Sequence, residues 1–231
     1  MSIEVINDRI FAADVSNSIH VIRLNRADGQ FHVICDDFVQ RYMSAMLVLD
    51  YNTVIGADKF DNLFVLRVPS EVREEQSSTG ESTLGSGGLR LGPDTAYILG
   101  KNHKFDLVSS FHVGETVTSL QKVVLSPGAA EVIMYSTLSG SVGVLYPFSS
   151  KREYENLLAL ENQIRNEIHT SLVGRDHMQF RSFYLPVKAV VDGDLVCSFA
   201  KLKSRSDIAS NVGKNVNEVL KLIEDIQNRI T

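Results

Sequence analysis

The residues of this sequence that could perform acid–base, nucleophilic or metal chemistry are its histidines, its two cysteines and two aspartate pairs. The histidines are His20, His32, His103, His112, His169 and His177. They form no recognisable metal-ligand pattern with Cys35 or Cys197. His177 follows Asp176, which could orient an imidazole, but no serine or cysteine nucleophile occupies a recognisable turn nearby. The sequence therefore predicts no catalytic residue, no cofactor-binding residue and no metal ligand.

Both aspartate pairs have structural explanations. Asp36-Asp37 follows an apolar run and marks the end of a strand. Asp192 and Asp194 flank Gly193, a pattern typical of a turn that caps a helix.

A long polar stretch over residues 69–103 interrupts the apolar pattern. Its glycines do not form a phosphate-binding loop, because Arg90 stands where the third glycine of a dinucleotide fingerprint belongs and no Gly-Lys-Ser/Thr follows. Its acidic residues, serines and glycines predict a mobile insertion between strands.

Length and composition indicate an ordinary soluble globular protein. The 231 residues suffice for one large domain or two small ones, with 44% hydrophobic and 22% charged residues. A net charge of −5 argues against a duplex-DNA binder. The sequence has neither an apolar run of membrane-spanning length nor a secretory signal. With two distant cysteines expected as buried free thiols, we expect a nuclear or cytosolic protein. The strand pattern begins at once, as expected of a fragment or a truncated gene model.

Over residues 1–148, short apolar runs alternate with turn residues. Such runs, about 8–12 residues apart, predict an antiparallel all-β architecture. They fall at 3–6, 10–13, 19–24, 31–35, 45–49, 53–57, 63–68, 105–108, 111–113, 117–124, 132–137 and 142–145. Four strands per repeated sheet are typical of a propeller blade, but a β-sandwich shows the same spacing. The strands amount to about three blades, fewer than the ~4 that a closed ring needs.

Residues 149–231 are predicted to form a helical domain. Ser150 with Glu153 fits a capping box ahead of an apolar stripe, and Asn215 with Glu218 caps the last helix. The fold class is therefore mainly β with a C-terminal α-helical domain.

Between these helices lies a segment that we predict to be structural and to dock partners. Its candidate residues are Arg175, Asp176, Phe180, Arg181, Phe183, Tyr184, Asp192 and Asp194. Helical spacing predicts that Phe180 and Phe183 turn inward, and that Arg181 bonds Asp192 or Asp194. A helix–turn–helix packing corner without any docking role explains the same residues.

Several motifs resemble a family of multi-propeller scaffold proteins. They are Phe180-Arg181-Ser182-Phe183 with Val191-Asp192-Gly193-Asp194-Leu195, residues 49–60, residues 111–122 and residues 137–140. The family includes the cleavage and polyadenylation specificity factor A subunits and damage-specific DNA-binding protein 1, and its splicing branch matches best. Asp61 stands where that branch leads us to expect glycine.

The resemblance implies the last blades of a seven-bladed C-terminal propeller, followed by a helical domain. It further implies a nuclear, non-catalytic scaffold for branch-site recognition in pre-mRNA splicing. The implied partners are other splicing factor 3b subunits, with RNA contacted only through the particle, and neither a membrane nor a small-molecule substrate. The alternative is a nucleic-acid-binding module of a DNA-damage-binding or polyadenylation-factor relative, supported by the basic residues Lys201 to Arg205.

Overall fold

A computed structural model describes residues 2–25, 29–70, 72, 103–167 and 176–230. Most of the predicted insertion at 69–103 and the candidate docking residue Arg175 lie outside the described residues. By its internal contacts the chain divides into two compact units. The first comprises Met1–Ser109 with Thr116–Thr118, and the second Ser110–Glu115 with Ser119–Thr231.

The strands form three antiparallel sheets. The first sheet contains β1 (Ser2–Ile6), β2 (Arg9–Asp14), β3 (Ser18–Asn25) and β4 (Gln30–Asp36), and the second contains β5 (Met43–Asp50), β6 (Thr53–Asp58), β7 (Asn62–Arg67) and β8 (Asp106–His112). The third has three strands, β9 (Val117–Val124), β10 (Glu131–Thr137) and β11 (Val142–Leu145), in the order β11-β10-β9. Among the described strands, neighbours in each sheet follow one another in sequence order, which is the arrangement of a meander.

The hydrophobic core of the first unit contains side chains from both of its sheets. Alternation along the strands turns one face of each sheet inward, as period-2 patterning requires. The buried side chains are Phe11, Ala13, Ile19, Val21 and Cys35 from the first sheet and Met46, Val48, Val54, Phe64 and Leu66 from the second. Arg9 is fully buried at this core, where its Nη1 donates to the Tyr51 carbonyl at 2.9 Å and the guanidinium lies 4.0 Å from the Tyr51 ring centroid.

The other face of the first sheet is also apolar. Val5, Ile10, Ile22 and Val33 are cross-strand neighbours, so one row of apolar side chains crosses all four strands. On β1, Ile3 is 69% exposed and Val5 is 63% exposed. We call this surface the outer face of the first sheet.

Asp61, where glycine was expected, lies in the turn between β6 and β7, and the turn shows how aspartate is accommodated. Asp61 has φ of 67°, in the left-handed region that favours glycine. The Asp58 carboxylate accepts hydrogen bonds from the backbone N–H groups of Phe60 and Asn62, which fixes the turn. Asp61 itself accepts a hydrogen bond from the Thr116 hydroxyl at 2.7 Å, so the aspartate side chain has a partner that glycine would lack.

The helices whose bounds the structure describes belong to the second unit. They are α1 (Lys151–Glu167), α2 (His177–Arg181), α3 (Gly193–Cys197), the 3-10 turn Ser198–Lys201, α4 (Arg205–Asn211) and α5 (Val216–Ile230). Their apolar faces share a core that contains Leu157, Leu160, Ile164, Leu195, Val196, Phe199, Ile208, Val219 and Ile223. Both predicted caps are present, with the Ser150 hydroxyl accepting from the Glu153 N–H and Asn215 exchanging hydrogen bonds with Glu218.

The prediction of antiparallel β-structure followed by helices is confirmed. The separate strands predicted at 105–108 and 111–113 are wrong, because β8 runs through both. Ser110 continues the strand by exchanging backbone hydrogen bonds with Lys188 at 3.1 and 3.0 Å. The boundary predicted between residues 148 and 149 stays a prediction; β11 ends at Leu145 and α1 begins at Lys151.

Candidate functional site

The predicted docking segment begins with the short helix α2. Asp176 is its N-cap, and the Asp176 carboxylate also forms an ion pair with Arg165 of α1. The helix ends at Arg181, and Ser182 is its C-cap. Phe183 and Tyr184 therefore lie beyond the helix, so the helical spacing predicted for Phe180 and Phe183 is wrong.

Asp192 is the centre of the site. Its side chain is buried, and its Oδ1 accepts hydrogen bonds from the backbone N–H groups of Asp194 and Leu195, which caps α3. Its Oδ2 lies 2.7 Å from Arg181 Nε and 2.7 Å from His177 Nε2. One carboxylate thus caps a helix, pairs with a guanidinium and contacts an imidazole.

The pKa of Asp192 reflects these partners. Burial alone would raise it, but the hydrogen bond from His177, together with the charge and hydrogen bond of Arg181, outweighs burial and lowers the pKa to about 2. Asp192 is therefore a stable anion at neutral pH that holds its neighbours in place.

Glu161 is a second buried carboxylate of the site. It lies on α1, is only 1% exposed, and accepts a hydrogen bond from the backbone N–H of Asp192 at 2.7 Å. Burial raises the pKa of Glu161; the Asp192 backbone hydrogen bond opposes the shift, and the Asp192 charge adds to it. Glu161 thereby positions the turn that contains Asp192, and burial of its carboxylate costs desolvation free energy.

Arg181 joins this turn to the end of β8. Its Nη1 donates to the carbonyl oxygens of His112 at 3.2 Å and Val113 at 2.9 Å. Its guanidinium carbon lies 4.7 Å from the centroid of the Phe111 ring, within the range of a cation–π interaction. The predicted ion pair with Asp192 is present, whereas Arg181 Nη2 lies 3.9 Å from Asp194 Oδ2, beyond hydrogen-bonding distance. Asp194 is therefore a peripheral member of the site.

Three aromatic side chains surround the buried His112 ring. The centroids of Phe180, Phe183 and Tyr184 lie 5.2, 5.7 and 5.8 Å from the His112 centroid. Phe183 is 54% exposed and Tyr184 is 53% exposed. Phe180 and Phe183 were predicted to turn inward. Phe180 is instead about one-third exposed and Phe183 about half exposed. Arg181 occupies the inward position, where it contacts Asp192. We call Phe180, Phe183 and Tyr184 the aromatic patch.

Gly114 allows the aromatic patch to approach β8. Its φ is +88°, and a Cβ built on it would lie 2.3 Å from Phe180 Cζ. Any larger residue would displace the Phe180 ring, so the glycine fixes how closely α2 packs on the strand end.

The arrangement holds a surface in place. His177, which follows Asp176 in sequence, contacts Asp192 instead, and among the described residues no hydroxyl or thiol is hydrogen-bonded to its ring. Among the described residues, no three His, Cys, Asp or Glu side chains come together as a metal site would require. Within the same residues, no helix is both long and apolar enough to cross a membrane.

Sequence reasoning missed Glu161 and His112. Glu161 stands at helical spacing from Leu157 and Ile164, so it is a carboxylate on the apolar face of α1, and that signal could have identified it. His112 was noticed only as one of the histidines, and nothing in the strand pattern points to its three aromatic neighbours. These neighbours are about 70 residues away in sequence.

Comparisons with known proteins are consistent with one family across the chain. The family model described as the CPSF A subunit region matches residues 1–201. The chain is 37% identical over 231 residues to the probable splicing factor 3B subunit 3 of Dictyostelium discoideum, covering 99% of this chain and 18% of the relative. It is 38% identical to splicing factor 3B subunit 3 of Drosophila melanogaster (99% of this chain, 18% of the relative) and 38% identical to spliceosome-associated protein 130 A of Arabidopsis thaliana (100% and 18%). The chain thus spans less than a fifth of the length of these relatives.

Proposed function

Because the chain belongs to the CPSF A subunit region family, we propose that it is a scaffold segment of a splicing factor 3b complex. In this function it supports branch-site recognition in pre-mRNA splicing through protein–protein contacts. The observation that carries the proposal is similarity along essentially the whole chain to relatives named as splicing factor 3B subunit 3. We further propose that it is nuclear, as splicing requires.

The three meandering sheets are, in this proposal, successive blades of a β-propeller. Two sheets of four strands and one of three support it, since four-stranded meanders are the repeating unit of propellers. About three blades leave the ring open within this chain. The apolar outer face of the first sheet supports the same proposal, because a neighbouring blade would cover it.

The proposed scaffold is non-catalytic. The support is the way in which the ionisable groups of the site are used: Asp192 caps a helix and pairs with Arg181, and Glu161 accepts a backbone hydrogen bond. Groups that perform acid–base chemistry are directed at a substrate, whereas these are directed at the protein's own backbone and side chains.

The partners proposed are other splicing factor 3b subunits, with RNA contacted through the particle. The aromatic patch supports a protein contact, since half-exposed aromatic residues on a rigid support are typical of interaction hot spots. A nucleic-acid-binding module is the less favoured alternative. Relatives named as DNA-damage or polyadenylation factors would favour it, whereas the three relatives named above carry splicing names.

Purification of the tagged complete protein from its own cells, with identification of the associated proteins, tests this function. We expect splicing factor 3b subunits to copurify with the unaltered protein. The double variant Phe183→Ala/Tyr184→Ala should retain the fold but lose part of these partners, because it removes exposed rings. Leu138→Ala, which removes an exposed apolar side chain in the β10–β11 turn, is the matched control. Recovery of DNA-repair or polyadenylation factors in place of splicing proteins would contradict the proposal.

A further inference from the structure

A cavity of about 320 Å³ lies within the second unit, between α1, α2 and the connector that leads to α3. The described residues that line it come from two neighbouring segments, 154–165 and 178–190, and none of them belongs to a strand. The cavity is therefore a gap between packed elements and does not depend on an unpaired sheet edge. Its volume is at the lower end of the range of about 300–1,000 Å³ for ligand pockets, so it suits a small molecule.

Glu161 brings a buried carboxylate to this cavity. It is one of the lining residues and is only 1% exposed. Its Oε1 accepts the hydrogen bond from the Asp192 N–H, and no other described residue donates to this carboxylate. The second oxygen, Oε2, therefore has no donor within the described part of the chain. Because a buried carboxylate oxygen without a hydrogen bond costs free energy, a donor on a bound molecule would be favourable there.

The charge on Glu161 indicates that this donor is a cation. Arg165 is the only cation among the described residues that line the cavity, and it is engaged by Asp176 in an ion pair. Burial raises the pKa of Glu161, and the charge of Asp192 adds to the rise. A positively charged donor beside Oε2 would supply the missing hydrogen bond and oppose both effects. An anionic ligand would instead be repelled by the same carboxylate.

The other walls of the cavity indicate what the cation is attached to. Leu158, Met178 and Val190 line it with apolar side chains, which suit a short hydrocarbon chain. Asn162 and Gln179 also line it, and each carries an amide oxygen that can accept a further hydrogen bond. A primary ammonium has three N–H donors, so it could bond the carboxylate and still reach an amide. The lining therefore favours an ammonium group on a short apolar chain.

We propose that this cavity is a binding site for a small alkylammonium ion, whose nitrogen donates a hydrogen bond to Oε2 of Glu161. Its apolar chain packs against Leu158, Met178 and Val190. The inference goes beyond the proposed scaffold function and does not rest on it, because the residues that carry it lie outside the aromatic patch. A lysine side chain has the same chemistry as the free ion, and the experiment separates these two sources.

Titration of the complete protein with n-pentylamine at neutral pH, followed by saturation-transfer NMR, tests the inference. We expect saturable binding of the amine, which is protonated at this pH. Glu161→Gln should weaken it at least ~30-fold, because the variant removes one partner of a buried charge pair. Pentan-1-ol, which has the same chain length and no charge, should bind correspondingly more weakly than the amine. Glu155→Gln removes the same charge from the exposed face of α1 and should leave the affinity unchanged.

A second variant and a second sample complete the test. Leu158→Trp keeps Glu161 but fills the cavity, so it should also abolish binding of the amine. The same titration of the assembled complex should show the amine bound there as well. Binding to the protein but not to the complex would mean that a partner's side chain fills the cavity, which overturns the inference. Absence of binding to the complete protein, equal binding of pentan-1-ol, or undiminished binding to Glu161→Gln would overturn it too. None of these results bears on the scaffold function, which copurification tests separately.

Discussion

Arg181 and Asp192 form a buried ion pair, with Arg181 Nε 2.7 Å from Asp192 Oδ2, while the same guanidinium donates to two carbonyls at the end of β8. Two parts of the chain about 70 residues apart are thereby joined through one side chain. The stability of the protein should therefore depend on both residues.

Substitution of Arg181 should strongly destabilise the protein. Arg181→Ala leaves the buried Asp192 anion without its guanidinium, and loss of one partner of a buried pair typically costs ~3–5 kcal/mol. Arg181→Lys should cost almost as much, because an ammonium cannot reproduce the planar contacts to Asp192 and to two carbonyls. Urea unfolding measures both, with Arg152→Lys on the exposed face of α1 as the control. A lysine variant as stable as the unaltered protein would contradict this account.

The pKa of Asp192 predicts a loss of stability in acid. Because its folded-state pKa is about 2 and its ordinary value is 3.8, its contribution is fully present above pH ~4 and is lost as the pH falls towards 2. A shift of this size corresponds to about 2 kcal/mol of unfolding free energy. Urea unfolding at intervals from pH 5 to pH 2 should show this additional loss in the unaltered protein and not in Asp192→Asn. Parallel pH profiles for the two proteins would refute the prediction.

Ionisation of Glu161 should affect the free energy of unfolding in the opposite direction from ionisation of Asp192. Its folded-state pKa is raised, so the folded protein favours its protonated form, and stability is lost as the pH rises through the folded pKa. Glu161→Gln keeps an oxygen that can accept the Asp192 N–H but removes the buried charge. We expect the variant to unfold at higher urea than the unaltered protein at pH 7 and to show no such advantage at pH 3. If Glu161→Gln is destabilising at pH 7, the Glu161 charge is needed by a neighbour, contrary to this account.

Gly143 should tolerate no side chain. The methyl group of Gly143→Ala would overlap the Tyr135 ring, and overpacking of this kind typically costs about 1–3 kcal/mol. Gly193→Ala is the matched control, because a Cβ there meets no atom within 4 Å. Thermal unfolding should separate the two variants by several degrees. Equal melting temperatures would mean that Tyr135 can leave β11 freely.

The outer face of the first sheet should cause the isolated chain to associate. Its exposed Ile3 and Val5 extend an apolar row across four strands, and such surfaces associate in water. Sedimentation should show concentration-dependent association that Val5→Lys reduces. Val15→Lys, at an exposed position in the β2–β3 turn, should not reduce it. A monomer at every concentration would contradict both this prediction and the open arrangement of blades.

The sequence predicts the elements better than it predicts their contacts. Period-2 and period-3.6 patterns identify the strands and the helices α1 and α5, because the burial of one face determines which positions in the sequence are apolar. The Arg181–Asp192 pair was also predictable, since a turn with two aspartates lies eleven residues beyond the arginine. The contacts of Arg181 with His112 and Val113 were not, because backbone carbonyls carry no sequence signal. Phe183 was expected to be buried because its spacing from Phe180 was read as helical, whereas the helix had already ended.

The hydrogen bonds from Arg181 to the end of β8 can form only late in synthesis of the chain. Val113 leaves the ribosome 68 residues before the guanidinium that binds its carbonyl. At about 5–20 residues per second, the strand end waits roughly 3–14 seconds for its partner. During that interval Phe111 and His112 of β8 and the following Val113 lack the Arg181 contacts that later hold them.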